Sequence, residues 1–329
     1  MKALQLGILG VSGFFKKKIA IPVSKSPIID IAAIASRSEE KARQAAHDYG
    51  IPKAYGSYEA LLQDPDIDAV YLPLPNHLHA TYIKKAAEAG KHVLCEKPLT
   101  LDAEEARDSI AYASDKGIKL MEAFMYRFHP QWQHALELIR MNEIGKVQLV
   151  QVHFAYTNTD PQNIRNQAEA GGGALMDIGC YAVSVCRYLM RAEPERVICL
   201  VEKDKQFATD VLSSGLLDFG TARAEFTVST QSFPYQTVNI FGRGGMMSLE
   251  IPFNTYSDVE VRLRVSNSIG TREVVFAPED QYLLEFEAFA KAILEDKVVP
   301  TPPNDALHNM LVLDALKRSA ETQQWVALD

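Results

Sequence analysis

The chain has 329 residues, 47% of them hydrophobic and 23% charged, an ordinary globular composition long enough for two domains. The net charge is −8 and the one basic cluster is Lys16-Lys17-Lys18, which excludes a polybasic binder of nucleic acid or membrane surfaces. No apolar run reaches the roughly 18–20 residues of a membrane helix, and the four cysteines, at 95, 180, 186 and 199, form no Cys-x-x-Cys pair, so they read as buried free thiols of a reducing compartment, the cytoplasm.

The opening MKALQLGILGVSG lacks a small-residue cleavage site before FFKKK and reads as a first strand and turn. From there the first third alternates. Strands are expected at 3–9, 28–35, 67–75, 92–98 and 119–124, with helices through the lysine cluster and over 39–50, 77–90 and 101–117. Strands that are nearly continuous apolar runs, separated by helices of 10–16 residues, predict a buried parallel sheet. Gly50, Gly90 and Gly117 stand where these helices need a left-handed stop.

After residue 125 the rhythm changes. A helix over 131–141 precedes alternating strands at 146–156, 195–202, 211–219, 221–230, 236–242, 246–252, 259–265 and 272–277, with one helix, 174–190, introduced by Gly171-Gly172-Gly173. Phe219-Gly220 and Arg243-Gly244-Gly245 predict hairpins. Helices over about 279–295 and 303–322 close the chain. The expected fold is a Rossmann α/β domain followed by an α+β domain with an open, mostly antiparallel sheet. No internal repeat or low-complexity segment appears.

The first strand runs into GILGVSGFF, residues 7–15. A dinucleotide-binding turn wants glycines for the bend and for close approach to a pyrophosphate. Gly10 fits the first role, Ser12 stands where the second glycine belongs, and Phe15 stands where a small residue belongs, so the fingerprint is degenerate. Position supports it, and Gly10, Ser12, Phe14 and Phe15 are the expected cofactor contacts there. The second strand ends in Ser36-Arg37 with Lys41 a turn later, and no carboxylate is present to bind a ribose. These residues favour NADP over NAD; the plain alternative is a helix cap on Ser38. The third strand ends in LPLPNHLH, which makes Pro73, Pro75, Asn76 and His79 further cofactor contacts. His77 and His79 lack a nearby cysteine or carboxylate at ligand spacing, so no metal is expected.

The fourth strand ends in Glu96-Lys97-Pro98. If that strand is parallel to the first, Lys97 and Glu96 face the same crevice as Gly10. In GGGALMDIGCY, Asp177 and Tyr181 are four apart on a helix and share a face. A carboxylate and a phenol on an otherwise apolar face are costly without a purpose or partner; a satisfied structural pair is the plain alternative. Together the residues suit hydride chemistry. A hydroxyl proton needs an acceptor, tyrosine's ordinary pKa of about 10 is too high for one, and the Lys97 ammonium favours the phenolate.

VLCEKPL, PNHLHA, the strand–glycine start and GGGALMDIGCY together resemble the Gfo/Idh/MocA oxidoreductase family over essentially the whole chain. The resemblance implies that Lys97 is the catalytic residue nearest the cofactor and that Asp177, Gly179 and Tyr181 form the second motif. A tyrosine at 181 is similar to the branch of glucose–fructose oxidoreductase, dimeric dihydrodiol dehydrogenase and D-xylose dehydrogenases, which tends to prefer NADP and tolerates Ser12. MEAFMYRFHP and Asn163-Ile164-Arg165 also resemble that branch, which puts Arg165 with Lys97, Asp177 and Tyr181 among the substrate contacts. Phe15 departs from it.

The implied activity is NAD(P)-dependent transfer of hydride between nicotinamide and a sugar, polyol or related hydroxy or carbonyl compound, with Lys97 and Tyr181 as the acid/base pair. The alternative is a non-catalytic dinucleotide or sugar sensor of the same fold, which has no need of Lys97, Asp177 and Tyr181 together. The expected domains are 1–123, with 297–329 packing back on it, and 124–296. A homodimer or higher homo-oligomer through the open sheet is implied by the resemblance.

Overall fold

The structure, a computed structural model, describes residues 3–328. It divides into two compact units. The first is the chain up to Met125 with Tyr282–Leu307; the second is Tyr126–Gln281 with the chain from His308 onward.

The first unit is built on β1 (Leu4–Leu9), β2 (Ile29–Ala35), β3 (Lys53–Tyr55), β4 (Ala69–Leu72), β5 (His92–Glu96) and β6 (Leu120–Ala123), all parallel, in the order β3-β2-β1-β4-β5-β6. This is one nucleotide-binding arrangement, with strand order reversing between β1 and β4. The strands are apolar throughout because both faces are covered: β4 is buried at every position, as are Val93, Leu94 and Cys95. Each such Leu, Ile or Val contributes roughly 1.5–3 kcal/mol on leaving water. β3, three half-buried residues, is the strand of this sheet that the sequence pattern did not announce.

The first helical segment begins as a π turn, Phe15–Ile19, and continues as α1 (Ala20–Val23). Then come α2 (Glu39–Tyr49), α3 (Tyr58–Leu62), α4 (His79–Glu88) and α5 (Ala103–Asp115). Ser38 caps α2 by accepting the Lys41 N–H, and Asp102 caps α5 by accepting the Glu105 N–H at 2.8 Å. Gly50, Gly90 and Gly117 take φ of 67°, 68° and 68°, the left-handed stops their positions predict.

In the second unit α6 (Pro130–Arg140) starts with proline at its first turn and the His129 ring as cap. Nine strands form one sheet among the described residues: β7 (Val147–Thr157), β8 (Arg196–Lys203), β9 (Asp210–Asp218), β10 (Arg223–Ser229), β11 (Gln231–Gly242), β12 (Gly245–Leu249), β13 (Val261–Asn267), β14 (Gly270–Phe276) and β15 (Val326–Ala327). Their order is β14-β13-β12-β11-β7-β10-β9-β8-β15. Every neighbouring pair is antiparallel except β7 with β10. Both expected hairpins form, β9–β10 and β11–β12. Alternation sets the layers: Ala224, Phe226 and Val228 are buried, and α7 (Cys180–Met190) packs along β7 and β10. Leu200, Ser214, Thr227, His153 and Thr237 run in register across the other face.

The two units divide the C-terminal part of the chain differently from the expected domains. α8 (Gln281–Leu294), expected in the second domain, belongs with the first unit from Tyr282 on. Tyr282 meets the Phe14 ring at 5.6 Å, Phe286 meets Tyr71 at 4.8 Å, and Ser26 donates to Glu287. α9 (Pro303–Thr322) leaves that unit at Leu307. Ser319 accepts the Cys199 N–H, β15 pairs with β8, and the Leu328 N–H reaches the Glu195 carbonyl. Edge pairing, which satisfies backbone groups of β8, therefore holds the chain end in the second unit.

Candidate active site

The candidate residues form two groups, one in each unit. In the first unit β1 delivers Gly10 at φ 128°, where a Cβ would press on Leu74 at 3.1 Å; the turn therefore requires glycine. Ser12 accepts the Phe15 N–H at 3.0 Å and so caps the helical segment that follows. Phe15 is fully buried and meets Tyr49 edge-on at 5.9 Å, so the bulky residue at a small-residue position is part of the core. At Gly13 a Cβ would meet nothing within 4 Å. Bare backbone opening the first helical segment fits a pyrophosphate.

At the end of β2 the buried Ser36 accepts the Ser38 N–H, whereas Arg37 and Lys41 are exposed. Burial raises the pKa of the Tyr58 phenol and the adjacent Arg37 guanidinium opposes that rise. Two cations thus stand where a ribose-binding carboxylate is absent.

β4 and β5 end in the loops carrying Pro73, Pro75 and Asn76, and Lys97. His79, the first residue of α4, fastens the two loops together. Its ring is fully buried, with Nδ1 2.9 Å from the Pro98 carbonyl and Nε2 2.9 Å from the Leu74 carbonyl. Burial, with the Lys97 charge acting in the same direction, holds the His79 pKa below its ordinary value. A neutral ring has one N–H and donates to one of the two carbonyls. Both nitrogens face main-chain oxygens, so the residue fastens the loops on which the other candidates stand. His77 is exposed.

Lys97 is half-buried, and the Lys97–Pro98 peptide is cis. Just beyond it the Leu99 N–H donates to the buried Glu122 carboxylate at 2.7 Å. Glu96 accepts a short hydrogen bond from the Tyr71 hydroxyl. Sequence reading missed Glu122, although a lone carboxylate inside the apolar run KLMEAF was a visible signal.

In the second unit Asp177 lies in a π turn, Leu175–Gly179, that leads into α7 and Tyr181. Such turns are rare and frequent at functional sites. The buried Asp177 carboxylate receives the Arg165 Nε at 2.9 Å and the Tyr156 hydroxyl at 2.6 Å, both on Oδ2. Asp177 raises the Arg165 pKa, and Tyr181 acts in the same direction, so that guanidinium stays charged. Burial, then Asp177, pushes the Tyr156 phenol far up, and it remains a donor. Tyr181 is buried among rings, 5.4 Å from Phe253, 5.8 Å from Phe154 and 6.1 Å from Tyr126. The structure thus brings Arg165, Asp177 and Tyr181 into one cluster and adds Tyr156, which no sequence signal distinguished from an ordinary strand aromatic. Among the described residues no three His, Cys, Asp or Glu side chains gather as metal ligands, and no helix is long and apolar enough to cross a membrane.

Residues 4–124 match the model of the Gfo/Idh/MocA oxidoreductase family with an NAD-binding Rossmann fold, and residues 132–248 match a C-terminal domain of that family. The chain belongs to the Gfo/Idh/MocA family. It is an NAD(P)-binding oxidoreductase, which removes the ground for the sensor alternative. It is 41% identical to an uncharacterized oxidoreductase of Rhizobium meliloti, with 99% of each chain covered. It is 39% identical to D-xylose 1-dehydrogenase (NADP(+)) 2 of Haloferax volcanii, covering 99% of this chain and 100% of that one. Among solved structures it is similar to a 3-ketoreductase of Actinomadura kijaniata in complex with NADP and TDP-benzene. The TM-score is 0.92 at 28% identity, over 97% of this chain and 98% of that one.

Proposed function

We propose that the protein is an NADP-preferring dehydrogenase or reductase of a sugar, polyol or related hydroxy or carbonyl compound, with Lys97 and Tyr181 as its acid/base pair. The observation that carries this reading is the Asp177 cluster: a buried carboxylate fixed by Arg165 and Tyr156 in the same cluster as Tyr181. Carboxylates and guanidinium groups recognise hydroxyl-bearing substrates by charge-assisted hydrogen bonds. The xylose dehydrogenase and ketoreductase relatives, one named for NADP(+) and one bound to NADP, support both the substrate class and the cofactor.

When bound, the nicotinamide takes or gives the hydride. In the oxidising direction Tyr181 takes the hydroxyl proton as the C–H bond to the same carbon breaks, and Lys97 supplies the positive charge that favours the phenolate. Asp177 and Arg165 hold the substrate hydroxyls. Gly10, Ser12, Phe14 and Phe15 form the first turn against the pyrophosphate; Ser36, Arg37 and Lys41 receive the 2′-phosphate; Pro73, Pro75, Asn76 and Glu96 line the remaining cofactor surface.

The open face of the nine-stranded sheet exposes Leu200, Leu212 and Tyr235, and we assign it to a homodimer. The four cysteines are free and buried, which suits the cytoplasm. Fluorescence titration with NADPH and NADH, followed by a panel of aldoses and polyols, tests the reading. NADPH is expected to bind at least tenfold more tightly, with the preference lost in Arg37→Asp, and some panel member is expected to be turned over. Tighter NADH binding rejects the cofactor assignment, and inertness across the panel rejects the substrate class.

A further inference from the structure

We propose that Asp210 is a positioning residue that anchors the Asp177–Tyr181 turn to the sheet. The inference rests on the roles proposed above for Asp177 and Tyr181. Asp210 opens β9 and belongs to neither motif of the sequence. Its Oδ2 accepts the Leu175 N–H at 2.7 Å and the hydroxyl of the buried Ser213 at 2.6 Å. Leu175 is the first residue of the π turn. The N–H groups that open a helical turn have no partner within it and favour negative charge, and here the partner comes from a strand.

Gly173 makes the same junction from the other side. It adopts φ 114°, and a Cβ there would overlap Asp210 Oδ1. Its carbonyl accepts the Asp177 N–H at 2.9 Å, and its own N–H donates to the Arg165 carbonyl at 2.9 Å. The carboxylate of Asp210 thus seats against the residue whose backbone holds both Arg165 and Asp177. Only glycine permits that approach. Burial raises the Asp210 pKa, opposed by the Ser213 and Leu175 hydrogen bonds and by the Lys317 charge from α9.

A π turn widens the helix by one residue per turn, so the direction of the Asp177 side chain depends on where the turn begins. Without the anchor, Leu175 loses its acceptor and the turn relaxes toward ordinary helix, which swings Asp177 away from Arg165 and Tyr156. Asp210 itself touches neither of them.

The test compares Asp210→Ala, Asp210→Asn and Ser213→Ala with Asp177→Asn and Tyr181→Phe in the full-length protein, by steady-state kinetics and amide hydrogen exchange. Asp210→Ala is expected to lower kcat at least tenfold, leave the KM for NADPH within twofold, and speed exchange at least tenfold over residues 175–181. Asp210→Asn keeps an acceptor for Leu175 and is expected to restore kcat to within threefold. Ser213→Ala frees one side of the carboxylate and is expected to speed exchange by a few-fold in the same segment. Wild-type kcat and exchange in Asp210→Ala overturn the proposal. If Asp210→Ala does not fold, Ser213→Ala decides, and unchanged exchange over 175–181 in that variant overturns it. Full turnover in Tyr181→Phe, with exchange in Asp210→Ala raised, instead rejects the catalytic reading and leaves the anchor standing.

Discussion

The two groups of candidate residues are held in different ways. Around Lys97 the fastening runs through the main chain: the His79 ring meets the Pro98 and Leu74 carbonyls, and Glu122 accepts the Leu99 N–H. Around Asp177 it runs through side chains, with Arg165 and Tyr156 gripping the carboxylate itself. A loop tied by its backbone tolerates replacement of the residue it displays. A side chain that is itself the knot does not, because its loss leaves charged and polar partners unmet. Asp177 is therefore bound into its scaffold through its own carboxylate.

The largest expected effect breaks the two groups apart. Lys97→Met and Tyr181→Phe should each lower kcat by about 10²–10⁴, the usual range for a lost acid/base group. Far-ultraviolet circular dichroism and the melting temperature should stay near wild type in Lys97→Met. Near-normal kcat in either variant rejects its role. A smaller effect probes the knot. Arg165→Met takes the guanidinium from Asp177 and should reduce kcat/KM for the sugar by about 10–100-fold, with NADPH binding unaltered. The pair Arg165→Met and Asp177→Asn should be far from additive, as for groups in one network. Additive losses would mean that Arg165 and Asp177 act separately.

How far these arrangements could be read from residues alone follows from what a sequence encodes. The parallel sheet was legible because apolar runs such as Val93-Leu94-Cys95 need both faces covered, and glycines at 50, 90 and 117 mark the helix ends. β3, Lys53–Tyr55, escaped because three half-buried residues carry no period. The destination of α8 escaped because an amphipathic helix shows that it packs and not against what: Phe286 suits either unit until Tyr71 is seen beside it. At the site, Lys97 and Asp177 were legible as charges within apolar runs. Tyr156, Asp210 and the two carbonyls that the His79 ring meets were not. Tyr156 is an ordinary strand residue by pattern, Asp210 opens a strand after a polar loop, and His79 falls within the expected helix over 77–90, whose pattern does not say which groups its ring meets. Each acquires its role from a neighbour across the fold, at sequence separations of 21, 35 and 19 residues, beyond the reach of any local spacing.

The backbone fastening in the first unit can be loosened without touching Lys97. His79→Phe keeps the ring volume and removes both contacts to carbonyl oxygen. One buried carbonyl loses its donor, at a cost of about 1–3 kcal/mol. Chemical denaturation should show a loss of that size, and kcat should fall while Lys97 is intact. His79→Gln, which retains one donor, should recover part of both. Unchanged stability and kcat in His79→Phe would show that the cis-proline loop holds itself.

The second unit has its own buried histidine, and its pH response sharpens the contrast. His129 is 1% exposed, burial lowers its pKa to about 4, and its Nδ1 accepts the Gln131 N–H at the start of α6. The unfolded chain titrates this group near 6.5, so below that pH the unfolded state binds a proton that the folded state refuses. The stability linked to His129 is thus complete above about pH 6.5 and is lost as pH falls toward 4, by up to 1.4 kcal/mol per pH unit. Protonation also removes the acceptor that caps α6. Between pH 7 and pH 5 this residue should account for a loss of about 2 kcal/mol. Urea denaturation of the wild type and of His129→Gln at both pH values measures it: the variant is expected to be less stable at pH 7 and to lose about 2 kcal/mol less on acidification. Equal losses in the two proteins would mean that His129 is charged in the fold, and the cap on α6 would then have to be assigned to another group.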